Sequence, residues 1–164
     1  MADAPSAPGE SASPTLFYKR ANFVTHLPVH CRYNLAHAWA AETGTGRWRV
    51  GLTKFATRML GETVDHAFHV EAGAELTTGQ IIGWIEGFKA ISDLYCLGRG
   101  RFVRGNPELQ HRIDLVHRDP FGEGWLYEFD GEPDPACVDV QGYRALLDAT
   151  IDKLLEKQKS EEAG

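Results

Sequence analysis

Cysteine is scarce in this chain, with three residues, Cys31, Cys96 and Cys137, among 164. An odd number without metal-type spacing argues against a disulfide framework or a zinc-ribbon ligand set and suits reduced thiols in a reducing compartment. Basic charge is also in deficit. Seventeen Lys and Arg against 23 Asp and Glu leave a formal charge of −6, which argues against a nucleic-acid partner held by a basic footprint. The nearest approach to a basic cluster, Arg99-Gly100-Arg101-Phe102-Val103-Arg104, reads as the solvated face of a strand. No segment approaches the roughly 20 consecutive apolar residues of a membrane span, so no membrane partner is expected. The opening Met1-Ala2-Asp3-Ala4-Pro5-Ser6-Ala7-Pro8-Gly9-Glu10 lacks the basic start and apolar middle of a secretory signal, and its acids suit a transit peptide poorly. A cytoplasmic location is the expectation.

With 43% hydrophobic residues, the chain can bury one core of ordinary size. Residues 1–15, rich in Ala, Pro, Ser, Gly and Glu, carry too few large apolar groups to offset the entropy of ordering and are expected to form a disordered tail. One domain is expected over 16–158, followed by a flexible tail at 159–164. The stretch from Phe17 to Trp39 is ambiguous. Trp48 to Thr53 alternates as a strand, and Thr53 can cap a short helix carrying Phe55, Met59 and Leu60 before Gly61 ends it. Further strands are expected over Val64 to Val70, Ile81 to Ile85, Ala90 to Tyr95, Leu94 to Phe102, and Leu126 to Phe129. From Asp139, a ready N-cap, the residues Val140, Tyr143, Leu147, Ile151, Leu154 and Leu155 follow helical spacing, predicting an amphipathic helix that packs on the sheet. Many short strands with a terminal helix predict a mainly β (α+β) fold, a small sandwich or flattened barrel with short peripheral helices.

Within this frame one lysine stands apart. Ile81-Ile82-Gly83-Trp84-Ile85 reads as a half-buried strand, Gly87 as a turn residue, and Ala90-Ile91-Ser92-Asp93-Leu94-Tyr95 as the returning strand. Lys89 therefore sits at a hairpin tip, where its ammonium projects into solvent and is open to a modifying enzyme. No nucleophile or metal constellation accompanies Glu86 and Asp93, so the residues do not read as a catalytic site. The pair His66 and His69, and the trio His26, His30 and Cys31, lack a complete ligand set for a metal.

Several segments, in order along residues 33–155, resemble the glycine cleavage system H-protein family, lipoyl carriers of the biotinyl/lipoyl type. Gly51-Leu52-Thr53 with Phe55-Ala56 is similar to the family's Gly-Ile-Thr segment, and Leu60-Gly61-Glu62 to its Leu-Gly-Asp/Glu turn. Glu86, Lys89, Ala90, Ser92 and Asp93 match its Glu-x-x-Lys-Ala-x-Ser-Asp hairpin. Asp119-Pro120-Phe121-Gly122-Glu123-Gly124-Trp125 resembles its late Asp-Pro-Tyr-Gly-Glu-Gly-Trp loop, and Tyr143 and Leu146 fall in its closing helix.

The resemblance implies a barrel-sandwich fold and a non-catalytic carrier with lipoate amidated to Lys89, which would make the chain one unit more negative than −6. Glu86, Gly87 and Asp93 would serve hairpin geometry and recognition by a lipoate ligase or a lipoyl/octanoyl transferase. His37 and Trp39 would form an arm-docking surface. The arm would take an aminomethyl group from the glycine decarboxylase to the aminomethyltransferase and be reoxidised by dihydrolipoyl dehydrogenase. Biotin domains carry Ala-Met-Lys-Met, whereas here Lys89 lies between Phe88 and Ala90, favouring lipoate.

There are departures from the family pattern. Ala36-His37-Ala38-Trp39 stands where the family has Ser-His-Glu-Trp, removing a hydroxyl and a carboxylate that help hold the loaded arm's amine. Cys96-Leu97-Gly98-Arg99-Gly100 replaces Ser-Pro-x-Ser-Gly, and His117 a usual Asn. Ala36 and Ala38 leave open a carrier serving oxidative sulfur metabolism or lipoyl relay, and the bare fold leaves open an unmodified interaction module. Cys96, on the strand leaving the hairpin, is a candidate for thiol exchange with a bound dithiol.

Overall fold

The computed structural model describes residues 13–163. They divide into two compact units, one comprising the described residues up to Cys31 with those from Val138 onward, the other spanning Arg32–Cys137. Most of the expected tail 1–15 lies outside the described residues, and Thr15 already opens a strand.

The first unit pairs strands β1 (Thr15–Arg20) and β2 (Phe23–Pro28) as an antiparallel hairpin and adds helix α3 (Val140–Ala163). Asp139 starts the helix as its sequence suggests, its carboxylate accepting from the Gly142 N–H at 2.9 Å. Val140, Tyr143, Leu147 and Ile151 are buried, whereas Leu154 and Leu155, counted in the same apolar periodicity, are exposed. The helix continues through 159–163, where the sequence suggests a flexible tail. Its side-chain ties reach the hairpin: Tyr18 donates to Asp148 at 2.7 Å, and Arg20 forks onto Asp152 through two 2.9 Å bonds. Asp148 and Asp152 lie one turn apart on a helix, so one strand edge meets both.

The second unit holds two sheets. The larger runs β3 (Arg32–Tyr33), β4 (Ala38–Gly44), β5 (Arg47–Leu52), β11 (Tyr127–Pro133), β10 (Gly98–Gly105), β7 (Glu75–Leu76) in that order. The smaller orders β6 (Thr63–Phe68), β8 (Ile81–Gly87) and β9 (Ile91–Tyr95) antiparallel. Val50, Phe102, Tyr127 and Phe129 from one sheet and Ile82, Ile85 and Leu94 from the other share one core, a register shift between Ile81 and Gly83 interrupting the alternation of β8. Tyr127 fastens the layers, its hydroxyl donating to the Tyr95 carbonyl at 2.8 Å and accepting from the Leu97 N–H at 3.2 Å. Peripheral helices α1 (Lys54–Leu60) and α2 (Leu115–Arg118), and a 3₁₀ turn (Pro107–Gln110), occupy the connections. Thr53 caps α1 as predicted, accepting from the Ala56 N–H.

The arginine-rich strand is paired. Arg99 and Arg101 meet Glu132 and Glu75, while Arg49 and Arg104 both bond Glu128, at 2.9 and 3.0 Å, beside the Trp125 ring. Burial works to raise the Glu128 pKa, but the bonds and charges of Arg104 and Arg49 outweigh it and hold the carboxyl below its ordinary value. A carboxylate depressed in this way stabilises the fold above its unfolded pKa of about 4.3 and loses that contribution as pH falls through the folded value. Glu128→Gln should therefore cost about 1–2 kcal/mol at pH 7, with the gap to wild type closing in acid. Urea unfolding at pH 7 and pH 4 measures it, and a gap independent of pH would contradict the assignment.

Candidate functional site

Helix α1 and the β8–β9 hairpin meet at one point, and Lys89 is there. The tip closes through the Gly87 N–H donating to the Ala90 carbonyl at 2.9 Å. Two further turn N–H groups are taken by the end of α1 and the segment after it: Lys89 donates to the Leu60 carbonyl at 2.8 Å and Phe88 to the Glu62 carbonyl at 3.0 Å. Helix-end carbonyls need partners, and here the hairpin supplies one. Two glycines permit the approach. A Cβ on Gly87 would stand 2.2 Å from the Leu60 oxygen, and Gly61, at φ +79°, lies under the Lys89 side chain. The Lys89 side chain is exposed, with Nζ 3.4 Å from the Arg58 carbonyl oxygen. The outcome is an accessible primary amine on a turn whose backbone is held from beneath. Phe88, 78% exposed, and Ile91 flank it.

The remaining predicted residues fall into distinct places. Glu86 is half-buried on β8, in register with Ile91 on one side and Asp65 on the other. Asp93 is exposed on β9 and lines a small groove of about 50 Å³ whose walls include Ala36, Ala38, Leu52, Ser92 and Tyr95. Alanine at 36 and 38 leaves Asp93 as the only carboxylate in that lining.

Trp39 does not form a docking surface. It is 2% exposed, and its indole N–H is shared between the carbonyls of Leu52 and Pro120, at 3.1 and 3.0 Å. Gly51 permits this, since a Cβ there would meet the Trp39 ring at 2.6 Å. Trp39 thus ties β4 to the late loop. His37, half-buried at φ +66°, faces Phe55 with ring centroids 4.6 Å apart. Burial lowers its pKa from 6.5 to about 4. A histidine kept neutral in the fold stabilises it fully above the unfolded value and progressively less as pH falls from about 6.5 to about 4. His37→Asn, which tolerates positive φ, should flatten that part of the stability profile. Unfolding midpoints of both proteins between pH 7 and pH 4 test it, parallel profiles being the contrary result.

Cys96 is not placed for thiol exchange, being 2% exposed with Sγ donating to the Gly98 carbonyl at 2.9 Å. Its pKa is raised by burial, which withholds the thiolate such exchange needs. Among the described residues no group of three or more His, Cys, Asp or Glu side chains is placed to hold a metal ion. Lys54, Arg58, Glu62 and His117 line a groove of about 330 Å³ beside Lys89; the sequence names Glu62 and His117 only as points of comparison with the family pattern, and Lys54 and Arg58 not at all. The Leu60-Gly61-Glu62 turn was the available signal, because a glycine ending a helix brings its neighbours toward whatever bonds the last carbonyls.

A family model described as Glycine cleavage H-protein matches residues 31–147. The chain belongs to the glycine cleavage H-protein family. Among its relatives, the glycine cleavage system H protein of Mycolicibacterium vanbaalenii is 34% identical over 74% of this chain and 97% of the relative. That of Mycobacterium avium is 36% identical over 77% and 93%. A crystal structure of the H protein from Mycobacterium marinum superposes with a TM-score of 0.65 at 28% identity, covering 73% of this chain and 97% of the other. This H-protein has the family's barrel-sandwich fold and is a non-catalytic lipoyl carrier of glycine cleavage, a family that bears lipoate covalently on a lysine. Its partners are enzymes of that system. No helix among the described residues is long and apolar enough to cross a membrane.

Proposed function

We propose that Lys89 is the lysine that carries the lipoyl amide in this H-protein. The carrying observation is its exposed amine on a tip whose Phe88 and Lys89 N–H groups are already bonded to α1's last turn and the segment after it. A lipoate ligase or a lipoyl/octanoyl transferase can then reach the amine without first ordering the loop, a saving in binding entropy. Gly87 keeps the tip against the Leu60 carbonyl, and Glu86, three residues before Lys89, is the acid that the acylating enzyme reads. When bound, the lipoyl group supplies a dithiol–disulfide couple. Lys89 tethers that chemistry, so each partner meets it at a high effective concentration.

The specific partners in this reading are the glycine decarboxylase, the aminomethyltransferase and dihydrolipoyl dehydrogenase. Asp93 pairs with the amine of the aminomethyl load, a charge-assisted contact, while Ala36 and Ala38 offer only apolar wall. Three free thiols, Cys31, Cys96 and Cys137, support a reducing, cytoplasmic setting. The test is to incubate the full chain with a lipoate ligase, ATP and lipoate, map the modified peptide, and add glycine decarboxylase with labelled glycine. One lipoyl increment on the peptide containing Lys89, followed by label transfer, is expected. An increment elsewhere, or a lipoylated protein that accepts no label where another H-protein does, would overturn the reading.

A further inference from the structure

The groove beside Lys89 has a charge unlike that of the molecule. Lys54 and Arg58 of α1 line it together with Lys89, against the single carboxylate of Glu62, on a chain whose formal charge is −6. His117 of α2 completes the wall, with its Nδ1 buried and without a hydrogen-bond partner. Three cations around about 330 Å³ suit a small oxyanion, because fixed cations bind phosphate through short charge-assisted bonds.

Acylation of a lysine makes an anion at that place. An amide forms from a carboxylic acid only through an activated donor, and in an acyl nucleotide the phosphate is bonded directly to the reacting carbonyl carbon. The Lys89 nitrogen bonds to that carbon, and the bond from carbon to the phosphoryl oxygen breaks. The electron pair leaves on the nucleoside monophosphate, and the ammonium gives up two protons to solvent. Charge grows on the phosphate beside the amine, where nearby cations lower the barrier.

We propose that the groove formed by Lys54, Arg58 and His117 receives the phosphoryl leaving group of an acyl-nucleotide donor while Lys89 is acylated. The inference rests on the assignment of Lys89 as the modified lysine. Amidation then removes one of the three cations, so the groove holds the departing phosphate less tightly once the amide exists.

The experiment compares wild type with a Lys54→Gln, Arg58→Gln double variant, both side chains being exposed and the thermal midpoint serving as a check on folding. Initial acylation rates are read by intact mass in two arms, a ligase that generates the acyl nucleotide and a transferase that uses an acyl thioester. The ligase-arm kcat/KM should fall about tenfold, the scale of one charge-assisted contact, while the thioester arm stays unchanged. In parallel, AMP titrated into ¹⁵N-labelled protein should shift Gly61 and Glu62 saturably, less so in the double variant and in the lipoylated protein. An unchanged ligase rate would overturn the proposal, as would equal losses in both arms, which would mean that the cations read an acidic enzyme surface. AMP shifts that never saturate would do the same. If neither arm acylates wild-type Lys89, it is the lysine assignment that falls, and the AMP titration still reports on the groove.

Discussion

Lys89→Arg is expected to abolish lipoyl attachment completely while leaving the fold intact. Arginine keeps the positive charge but holds its proton throughout the accessible pH range and offers no nucleophilic amine. The hairpin does not depend on the lysine side chain for its shape. What holds the tip are the backbone bonds of Gly87, Phe88 and Lys89, which the substitution leaves in place, and the single contact of Nζ with the Arg58 oxygen is 3.4 Å long. Stability should remain within about 0.5 kcal/mol of wild type, as for an exposed substitution. Intact mass after incubation with ligase, ATP and lipoate decides the matter. A lipoyl increment on the variant would mean that another lysine carries the arm, and the case for the hairpin would be lost.

Gly87→Ala should give the largest structural effect at the site. The added methyl would stand 2.2 Å from the Leu60 oxygen and 3.0 Å from that of Gly61, both backbone atoms of a segment that is itself bonded to the tip. Neither can withdraw without breaking the Phe88 and Lys89 bonds, so overpacking should cost about 1–3 kcal/mol. The rate of attachment should drop with it, because the amine would be presented on a loosened turn. Gly44→Ala is the control: a Cβ there meets nothing within 4 Å, and stability should hardly change. Urea midpoints and initial acylation rates of the two variants separate the cases. If Gly87→Ala is as stable and as quickly modified as Gly44→Ala, the brace between α1 and the hairpin has no role.

Much of the carrier unit was legible because its information is local. Thr53 ahead of an apolar run and Gly61 behind it mark α1, two alternating segments around Gly87 mark the hairpin, and Asp139 marks the start of α3. Each of these acts through neighbours a few residues away, so periodicity and caps suffice to read them. The ambiguous stretch from Phe17 to Trp39 falls in four strands: β1 and β2 pair across a two-residue turn, and distant partners enter through Tyr18 and Arg20, which bond acids near residue 150. Leu154 and Leu155 show the converse error. They keep the helical apolar spacing, yet exposure depends on what another element covers, which spacing does not encode.

The sequence by itself determined a mainly β fold with one lysine at a hairpin tip, since turn residues and strand alternation are properties of the chain read linearly, and its ordered segments around Lys89 carried the resemblance to a lipoyl-carrier family. Only the tertiary structure decided what surrounds that lysine. It buried Trp39 and Cys96, joined Ala36, Ala38 and Asp93 in one small groove, and brought Lys54, Arg58 and His117 together beside Lys89. The physical reason is that burial, hydrogen-bond satisfaction and local charge are sums over neighbours in space, and across a β-sandwich those neighbours lie tens of residues apart in sequence.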